Sequence, residues 1–187
     1  MGSDVRERMI ESASVLVARN GSRGASFSEV LAASGGPRGS IYHHFPGGKE
    51  ELVLGAVDLA GHRADTLLAG LAGLSAPEIG ERFLAMWRSL LIATDFGVGC
   101  AAAGVVVDAE SEALIHRAAD VFRTWRARLA DLLVAGGIPA EGGPGLASML
   151  VAVAEGAVIL ARAERDIAVF DAAAGEAVNA LRRAAGG

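Results

Sequence analysis

Apolar residues recur every three or four positions along most of the chain, which is the spacing of helices with one buried face. The first helix is predicted over residues 4–19 and is closed by Gly21, because glycine ends helices readily. No segment alternates apolar and polar residues as a half-buried strand does. The pattern therefore predicts an all-α protein.

A short helix is predicted to begin at Phe27. Ser26 and Glu29 have the S-x-x-E spacing of a capping box, in which each residue satisfies a backbone N–H of the other. Gly35 and Gly36 are expected to end this helix after about two turns.

A second short helix is predicted to start at Pro37, because proline is tolerated at the first helical position. In this helix Ile41 is expected to point into the core, and the polar side chains around it outward. Two helices joined by a glycine turn form the helix-turn-helix pattern, whose second helix enters the major groove of DNA.

Further helices follow, and a second capping box at Ser75 and Glu78 begins one that is broken at Gly97 and Gly99. The others are predicted over residues 49–73, 100–107 (short and buried), 111–135, 146–165 and 171–184. The glycine-rich segment between 136 and 145 is expected to be a loop. We expect two domains, residues 1–48 and residues 49–187, joined by the helix that begins at Lys49.

Charge divides the chain in the same way. The 187 residues carry a net charge of −5, which taken as a whole disfavours nucleic acid. Residues 1–49, however, hold six basic and four acidic side chains, a net charge of +2, which leaves −7 for the rest. A mildly basic head on an acidic body suits a DNA-binding protein with a separate second function.

The expected location is the cytoplasm. The chain opens on polar and charged residues rather than a signal peptide. Its longest apolar run, residues 146–161, is expected to be too short for a membrane span and is interrupted by Glu155 and Gly156. The single cysteine, Cys100, allows no disulfide within the chain.

The segment PRGSIYHHFPGGKEEL, residues 37–52, resembles the DNA-binding domain of the TetR family of transcriptional repressors. The residues that carry this resemblance are Gly21, Ser26, Gly35, Gly39, Tyr42, His44, Phe45 and residues 49–52. The segment is also similar to the branch that includes the lincomycin-resistance operon repressors (LmrA/YxaF-like), as are Gly99-Cys100 and residues 161–166. Gly36 and Pro37 depart from the general family pattern, which has an apolar residue and a Ser or Thr cap there.

The resemblance implies a three-helix DNA-binding domain followed by a helical ligand-binding and dimerisation domain. It implies a homodimeric repressor that a small apolar or aromatic effector releases from double-stranded operator DNA. Arg38 has the donor geometry to bind a guanine edge, whereas Tyr42 and Lys49 match phosphate contacts of the family. The candidate DNA contacts are Ser26, Ser28, Arg38, Gly39, Ser40, Tyr42, His43 and Lys49.

Most of the large side chains of the body gather on three predicted helices separated by glycines, as in small-molecule sites. The candidate effector contacts are Phe83, Met86, Trp87, Leu90, Phe96, Cys100, Phe122, Trp125 and Glu155. The alternative is that the apolar members are ordinary core residues. Glu155 would either orient a ligand or pair with an arginine at an interface between subunits.

Dimerisation is expected through the helices at residues 118–135 and 146–163, which would form a four-helix bundle with those of a partner. The second of these carries a wide apolar stripe. Its members are Leu146, Met149, Leu150, Val153, Ala157, Leu160 and Ala161. The alternative is that this stripe is simply the core of one chain.

No catalytic or metal site is predicted, and no cofactor. His62 and His116 lack a second ligand at a suitable spacing, and Cys100 has apolar neighbours that would leave its thiol inert. An oxidation sensor at Cys100 is the less favoured alternative. Two other functions stay open: a regulator of the same fold without a small inducer, acting as an activator or controlled by a protein, and a helical enzyme or carrier.

Overall fold

The computed structural model describes residues 2–37, 39–108 and 111–186, and all regular secondary structure in these ranges is helical. This confirms the all-α fold. The helices are α1 (Gly2–Asn20), α2 (Phe27–Ser34), α3 (Ile41–His44), α4 (Gly48–Ala69), α5 (Ala76–Ala93), α6 (Ala101–Asp108), α7 (Glu112–Ala135), α8 (Gly143–Glu164) and α9 (Ile167–Ala185).

Helix α2 begins and ends as its sequence predicts. The Ser26 hydroxyl accepts a hydrogen bond from the Glu29 N–H at 3.3 Å, and the Glu29 carboxylate accepts one from the Ser26 N–H at 3.0 Å. Gly35 then takes a left-handed conformation with φ of 66°, and its N–H donates to the Leu31 carbonyl. Glycine adopts this conformation without strain, so it closes the helix.

The start predicted for the second short helix is wrong. Helix α3 begins at Ile41 rather than Pro37, because the Ser40 N–H and hydroxyl both donate to the Pro37 carbonyl, at 3.0 and 2.8 Å, and close a turn instead. A helix through this turn would have Gly39 in its interior, at a cost of about 1 kcal/mol relative to alanine. Arg38 lies outside the described residues.

Other helix ends also differ from the prediction. Helix α8 starts at Gly143, within the predicted loop, because Pro144 occupies the first turn where no backbone donor is needed. Helix α9 starts four residues early, with the Asp166 carboxylate capping the Ala168 N–H at 2.9 Å. Helix α4 ends at Ala69 rather than 73. Helix α6 is only partly buried, since Val107 is 84% exposed.

The chain forms two compact units. The first comprises Met1–Arg63 and Cys100–Phe122, and the second comprises Ala64–Gly99 and Arg123–Gly187. The first unit is centred on the fully buried residues Met9, Ala13, Val17, Val30, Ile41, Phe45, Leu52, Val53, Ala56 and Val57. The second is centred on Ile79, Leu91, Leu129, Leu133, Leu150, Phe170 and Leu181.

Helix α8 is longer than the apolar run from which it was predicted. At 22 residues, it alone among the described helices is long and apolar enough to cross a membrane by length and composition. The expectation that this segment is too short is therefore corrected. Core helices of soluble proteins satisfy the same criteria, and 39% of its most apolar stretch is buried within this chain.

Candidate nucleic-acid interface and effector site

Tyr42 is an exposed aromatic side chain in the described part of the helix-turn-helix. Its neighbour Ile41 is fully buried and Phe45 nearly so, which fixes α3 to the unit, whereas Tyr42 is 69% exposed. The ring of Phe27, in the first turn of α2, meets the Tyr42 ring edge to face with centroids 5.4 Å apart. The phenol is thus held by one aromatic contact with its hydroxyl free to reach a phosphate.

Two serines lie at the start of α2. The Ser26 hydroxyl bonds to the Glu29 carboxylate at 2.6 Å and contacts the Ser28 hydroxyl at 3.0 Å, so it serves the cap. Hydrogen bonds from the Ser26 side chain and backbone lower the pKa of Glu29. Ser28 is exposed. Of the two candidate DNA contacts, Ser28 is better placed to reach a phosphate.

Lys49 is exposed in the first turn of α4, and its ammonium donates to the Arg23 carbonyl at 3.2 Å. An ammonium has three donors, so this bond leaves others for a phosphate. The contact also joins the start of α4 to the turn that precedes α2.

The other candidate DNA contacts differ in their exposure. His43 and Gly39 are exposed, and Gly39 has open space where a side chain would project. Ser40 is half-buried with its hydroxyl bonded to Pro37. His44, one of the residues that carry the family resemblance, is half-buried, and its ring meets the His43 ring edge to face with centroids 5.5 Å apart.

Asp108, the last residue of α6, anchors the turn between α1 and α2. One carboxylate oxygen accepts from the Ser22 N–H and hydroxyl, at 2.9 and 2.7 Å, and the other accepts from the Arg23 N–H at 2.9 Å. At Gly21, φ is 76° and any side chain would collide with this carboxylate. Helix α6 is thus tied to the backbone that leads into the DNA-binding helices.

These bonds set the protonation of Asp108. Partial burial alone would raise its pKa, but hydrogen bonds from Arg23 and Ser22 and the charge of Arg23 outweigh burial and lower the pKa below the ordinary 3.8. A carboxylate with a lowered pKa stabilises the fold above its unfolded-state pKa. That contribution is lost as the pH falls through the folded-state pKa.

Replacing Asp108 with alanine should therefore destabilise the protein by about 1–3 kcal/mol at pH 7, because buried Ser22 and the Arg23 N–H lose their acceptor. Urea unfolding at pH 7 and pH 3 measures this loss, which should shrink at the lower pH. The matched control is Glu7→Ala, which removes the same charge from an exposed position on α1. An equal loss at both pH values would contradict the assigned role.

Two tryptophans form the centre of the candidate effector site. Trp87 on α5 and Trp125 on α7 are 6% and 4% exposed, and their rings meet edge to face with centroids 6.4 Å apart. Phe83, one turn before Trp87, is buried as well, whereas Met86 and Leu90 are half-buried. These five residues belong to the second unit and form one aromatic and apolar set.

Three further candidate effector contacts, Glu155, Cys100 and Phe122, do not all belong to the second unit. Glu155 is half-buried on α8 in the second unit. Cys100 and Phe122 belong to the first unit, where the Cys100 sulfur accepts from the Ala103 N–H at 3.5 Å in the first turn of α6. Cys100 is buried, as the sequence predicts.

Phe96 lies in the connection that follows α5. Asp95 and Phe96 both have left-handed backbone conformations, with φ of 49° and 59°, which are uncommon for residues other than glycine. Arg165 holds this connection through the Asp95 carboxylate at 2.5 Å and covers the Phe96 ring at 5.8 Å, while Arg162 donates to the Phe96 carbonyl at 3.2 Å. The end of α8 therefore stabilises a strained link that leads directly into α6.

The predicted stripe on α8 divides into two faces, which corrects its assignment to a single interface. Leu150, Ala157 and Ala161 are buried within the chain itself, on the helix that packs against α9 and α5. Leu160 is 50% exposed, and Leu146, Met149 and Val153 are half-buried. The outward stripe of α8 comprises Ala152, Gly156, Ile159, Leu160 and Ala163, and it is apolar throughout.

Sequence reasoning missed residues whose role depends on contacts between distant segments. These residues contact partners on other elements, and they are Phe27, Asp108, Arg162 and Arg165. Of the four, Asp108 alone has a sequence signal, because its charge follows an apolar run. Within residues 2–37, 39–108 and 111–186, no cluster of three or more His, Cys, Asp or Glu side chains could hold a metal ion.

Comparisons with known proteins agree with these features. The family described as bacterial regulatory proteins, tetR family, matches residues 9–56, and the family described as transcriptional regulator LmrA/YxaF-like, C-terminal domain, matches residues 78–176. The uncharacterized HTH-type regulator Rv0196 of Mycobacterium tuberculosis is 38% identical over 173 residues, which cover 89% of this chain and 88% of that protein. The uncharacterized HTH-type regulator YxaF of Bacillus subtilis is 28% identical over 169 residues, or 87% of each chain.

Solved structures extend the comparison to the fold. A TetR transcriptional regulator from Chloroflexus aurantiacus superposes with a TM-score of 0.81 at 29% identity, over 97% of this chain and 96% of that one. The matched relatives are transcriptional regulators, which confirms the expectation that the chain is not an enzyme. The chain belongs to the TetR family of DNA-binding transcriptional regulators, in its LmrA/YxaF-like branch.

Proposed function

We propose that this regulator is a cytoplasmic homodimeric repressor that leaves its operator when a small, largely aromatic ligand binds beside Trp87 and Trp125. The observation that carries the proposal is the Asp108 anchor, which ties α6 to the turn before the DNA-binding helices. A ligand that displaces α6 has a direct physical route to those helices.

The route begins at the connection between α5 and α6. Asp95 and Phe96 are held in uncommon backbone conformations by Arg162 of α8 and by Arg165, which directly follows α8, so a small change in their surroundings can release them. Helix α6 starts five residues later and ends at Asp108. A ligand packed against α5 would thus shift α6, and the carboxylate would carry the shift to Ser22 and Arg23.

The energetics follow from a population shift. The protein exists in two forms, of which only one presents the two heads of a dimer at the spacing of successive major grooves, roughly 34–36 Å. A ligand that binds the other form more tightly lowers operator affinity by the ratio of its two affinities. A coupling of 1–3 kcal/mol gives a change of about 5–150-fold.

The proposal is tested with purified protein and the intergenic DNA that flanks its own gene. Selective binding of one segment, followed by release with at least one aromatic compound that also raises the melting temperature, is the expected result. A protein that binds this DNA but responds to no compound would instead act without a small inducer. A protein that selects no segment of it would not be a local repressor.

Substitution of Tyr42 and of Arg38 should distinguish phosphate contacts from base contacts. Tyr42→Phe retains the ring contact with Phe27 but removes the hydroxyl, so we expect affinity to fall about tenfold on operator and unrelated DNA alike. Arg38→Ala should mainly reduce the ratio of the affinity for operator DNA to the affinity for unrelated DNA. Fluorescence anisotropy at several salt concentrations measures both effects, and urea unfolding should be unchanged in the Tyr42 variant. Loss of operator binding alone in that variant would show that Tyr42 contacts bases.

A further inference from the structure

The indole N–H of Trp87 is buried and donates to no residue in the part of the chain that the structure describes. The side chain is 6% exposed on α5, and its Nε1 is buried without a hydrogen bond to any residue that the structure describes. A buried indole normally finds a partner, because an unmet donor loses its bond to water and gains nothing in return. The exception calls for a specific explanation.

The side chains one turn from Trp87 on its own helix, and the ring that meets it, are apolar. Phe83, Leu84, Leu90 and Leu91 lie one turn away on the same helix, and Trp125 covers the indole edge to face. None of these side chains has an oxygen that could accept the bond. An ordered water needs two to four polar partners, and these side chains supply no second one.

We propose that the Trp87 N–H is the polar anchor of the effector site and that the effector carries an uncharged carbonyl-type oxygen on an aromatic body. This inference rests on the proposed function. A neutral acceptor fits better than an anion, because the apolar neighbours named above offer no cation to offset the cost of burying a charge. A ligand without the oxygen leaves the donor unmet and binds more weakly, so Trp87 selects the ligand class.

The test uses two rigid probes of nearly the same shape, 9-fluorenone and fluorene, which differ by one carbonyl oxygen. The chain has two tryptophans, so the ¹⁵N-labelled protein gives two indole signals, which Trp87→Phe assigns. We expect fluorenone to move the Trp87 indole proton downfield, as a new hydrogen bond does, and to bind about three- to tenfold more tightly than fluorene.

Two matched variants isolate the donor. Trp87→Phe keeps an aromatic ring without the N–H, so it should bind both probes with equal affinity. Trp125→Phe makes the same change in the other ring of the pair and should retain the preference for fluorenone. Both variants are first compared with the wild type by circular dichroism. If the Trp87 variant fails to fold, the preference for fluorenone over fluorene is still measured in the wild type and in the Trp125 variant.

Several results would overturn the inference. These are equal binding of the two probes by the wild type, a preference that persists in Trp87→Phe, and no change of the Trp87 indole signal with either probe. Operator release by other compounds, measured on the same protein, distinguishes this failure from that of the proposed function. If such release is found, the repressor function stands and only the ligand class is wrong.

Discussion

Replacing Phe45 with alanine is expected to lower the free energy of unfolding of the first compact unit by about 3–5 kcal/mol. Phe45 is 1% exposed and directly follows α3, where its N–H donates to the Ile41 carbonyl at 2.9 Å. The guanidinium of Arg6 lies 5.1 Å from the ring centroid. Removing the ring leaves a cavity where α3 is fixed to the unit, so DNA binding should be lost with the fold.

Two spectroscopic signals show where the damage lies. Both tryptophans belong to the second unit, so their fluorescence reports that unit, while far-ultraviolet circular dichroism reports all helices. In urea, the Phe45 variant should lose part of its helical signal before its tryptophan emission changes. Tyr42→Ala is the control, because it removes an aromatic ring that is 69% exposed and should alter stability by less than about 1 kcal/mol. A Phe45 variant as stable as this control would show that the ring does not hold the unit together.

Features that depend on near neighbours in the chain were predictable. The capping boxes at Ser26 and Ser75, the glycine stop at Gly35 and the buried Ile41 all follow from residues within one helical turn of each other. The starts of α3 and α8 were not predictable from proline alone. Pro37 precedes a turn and Pro144 opens a helix, although a glycine follows closely in both cases, Gly39 in the first and Gly145 in the second.

The candidate site was predictable to a similar extent. The exposure of Tyr42 follows from its position beside buried Ile41. The Asp108 anchor was not predictable, since its partners lie 85 and 86 residues earlier in the chain. Helix α8 presents another limit. It is apolar on nearly every side, so periodicity could not distinguish the face packed within the chain from the face that points outward.

That outward face leads to the second large expected effect. Ile159 and Leu160 are 58% and 50% exposed, and Gly156 on the same stripe leaves open space where a side chain would project. A partner helix could therefore approach closely and bury apolar surface. Replacing both Ile159 and Leu160 with glutamate should convert the proposed dimer into a monomer. Operator affinity should fall about 100-fold or more, because the two heads no longer bind as one unit.

The matched control places the same two charges on α9, as Ala168→Glu with Ala172→Glu, at exposed positions outside the stripe. Sedimentation velocity gives the mass of each variant, and gel mobility shift on operator DNA gives its affinity. The α9 variant should remain dimeric and bind normally. If the α8 variant were still a dimer, the subunits would associate through another surface. In a twofold interface on α8, the two glutamates would be buried against their own copies, repel them and lack counterions, so they would prevent association there. A monomer that still bound operator with the affinity of the wild type would instead show that one head suffices, and the proposed spacing mechanism would fail with it.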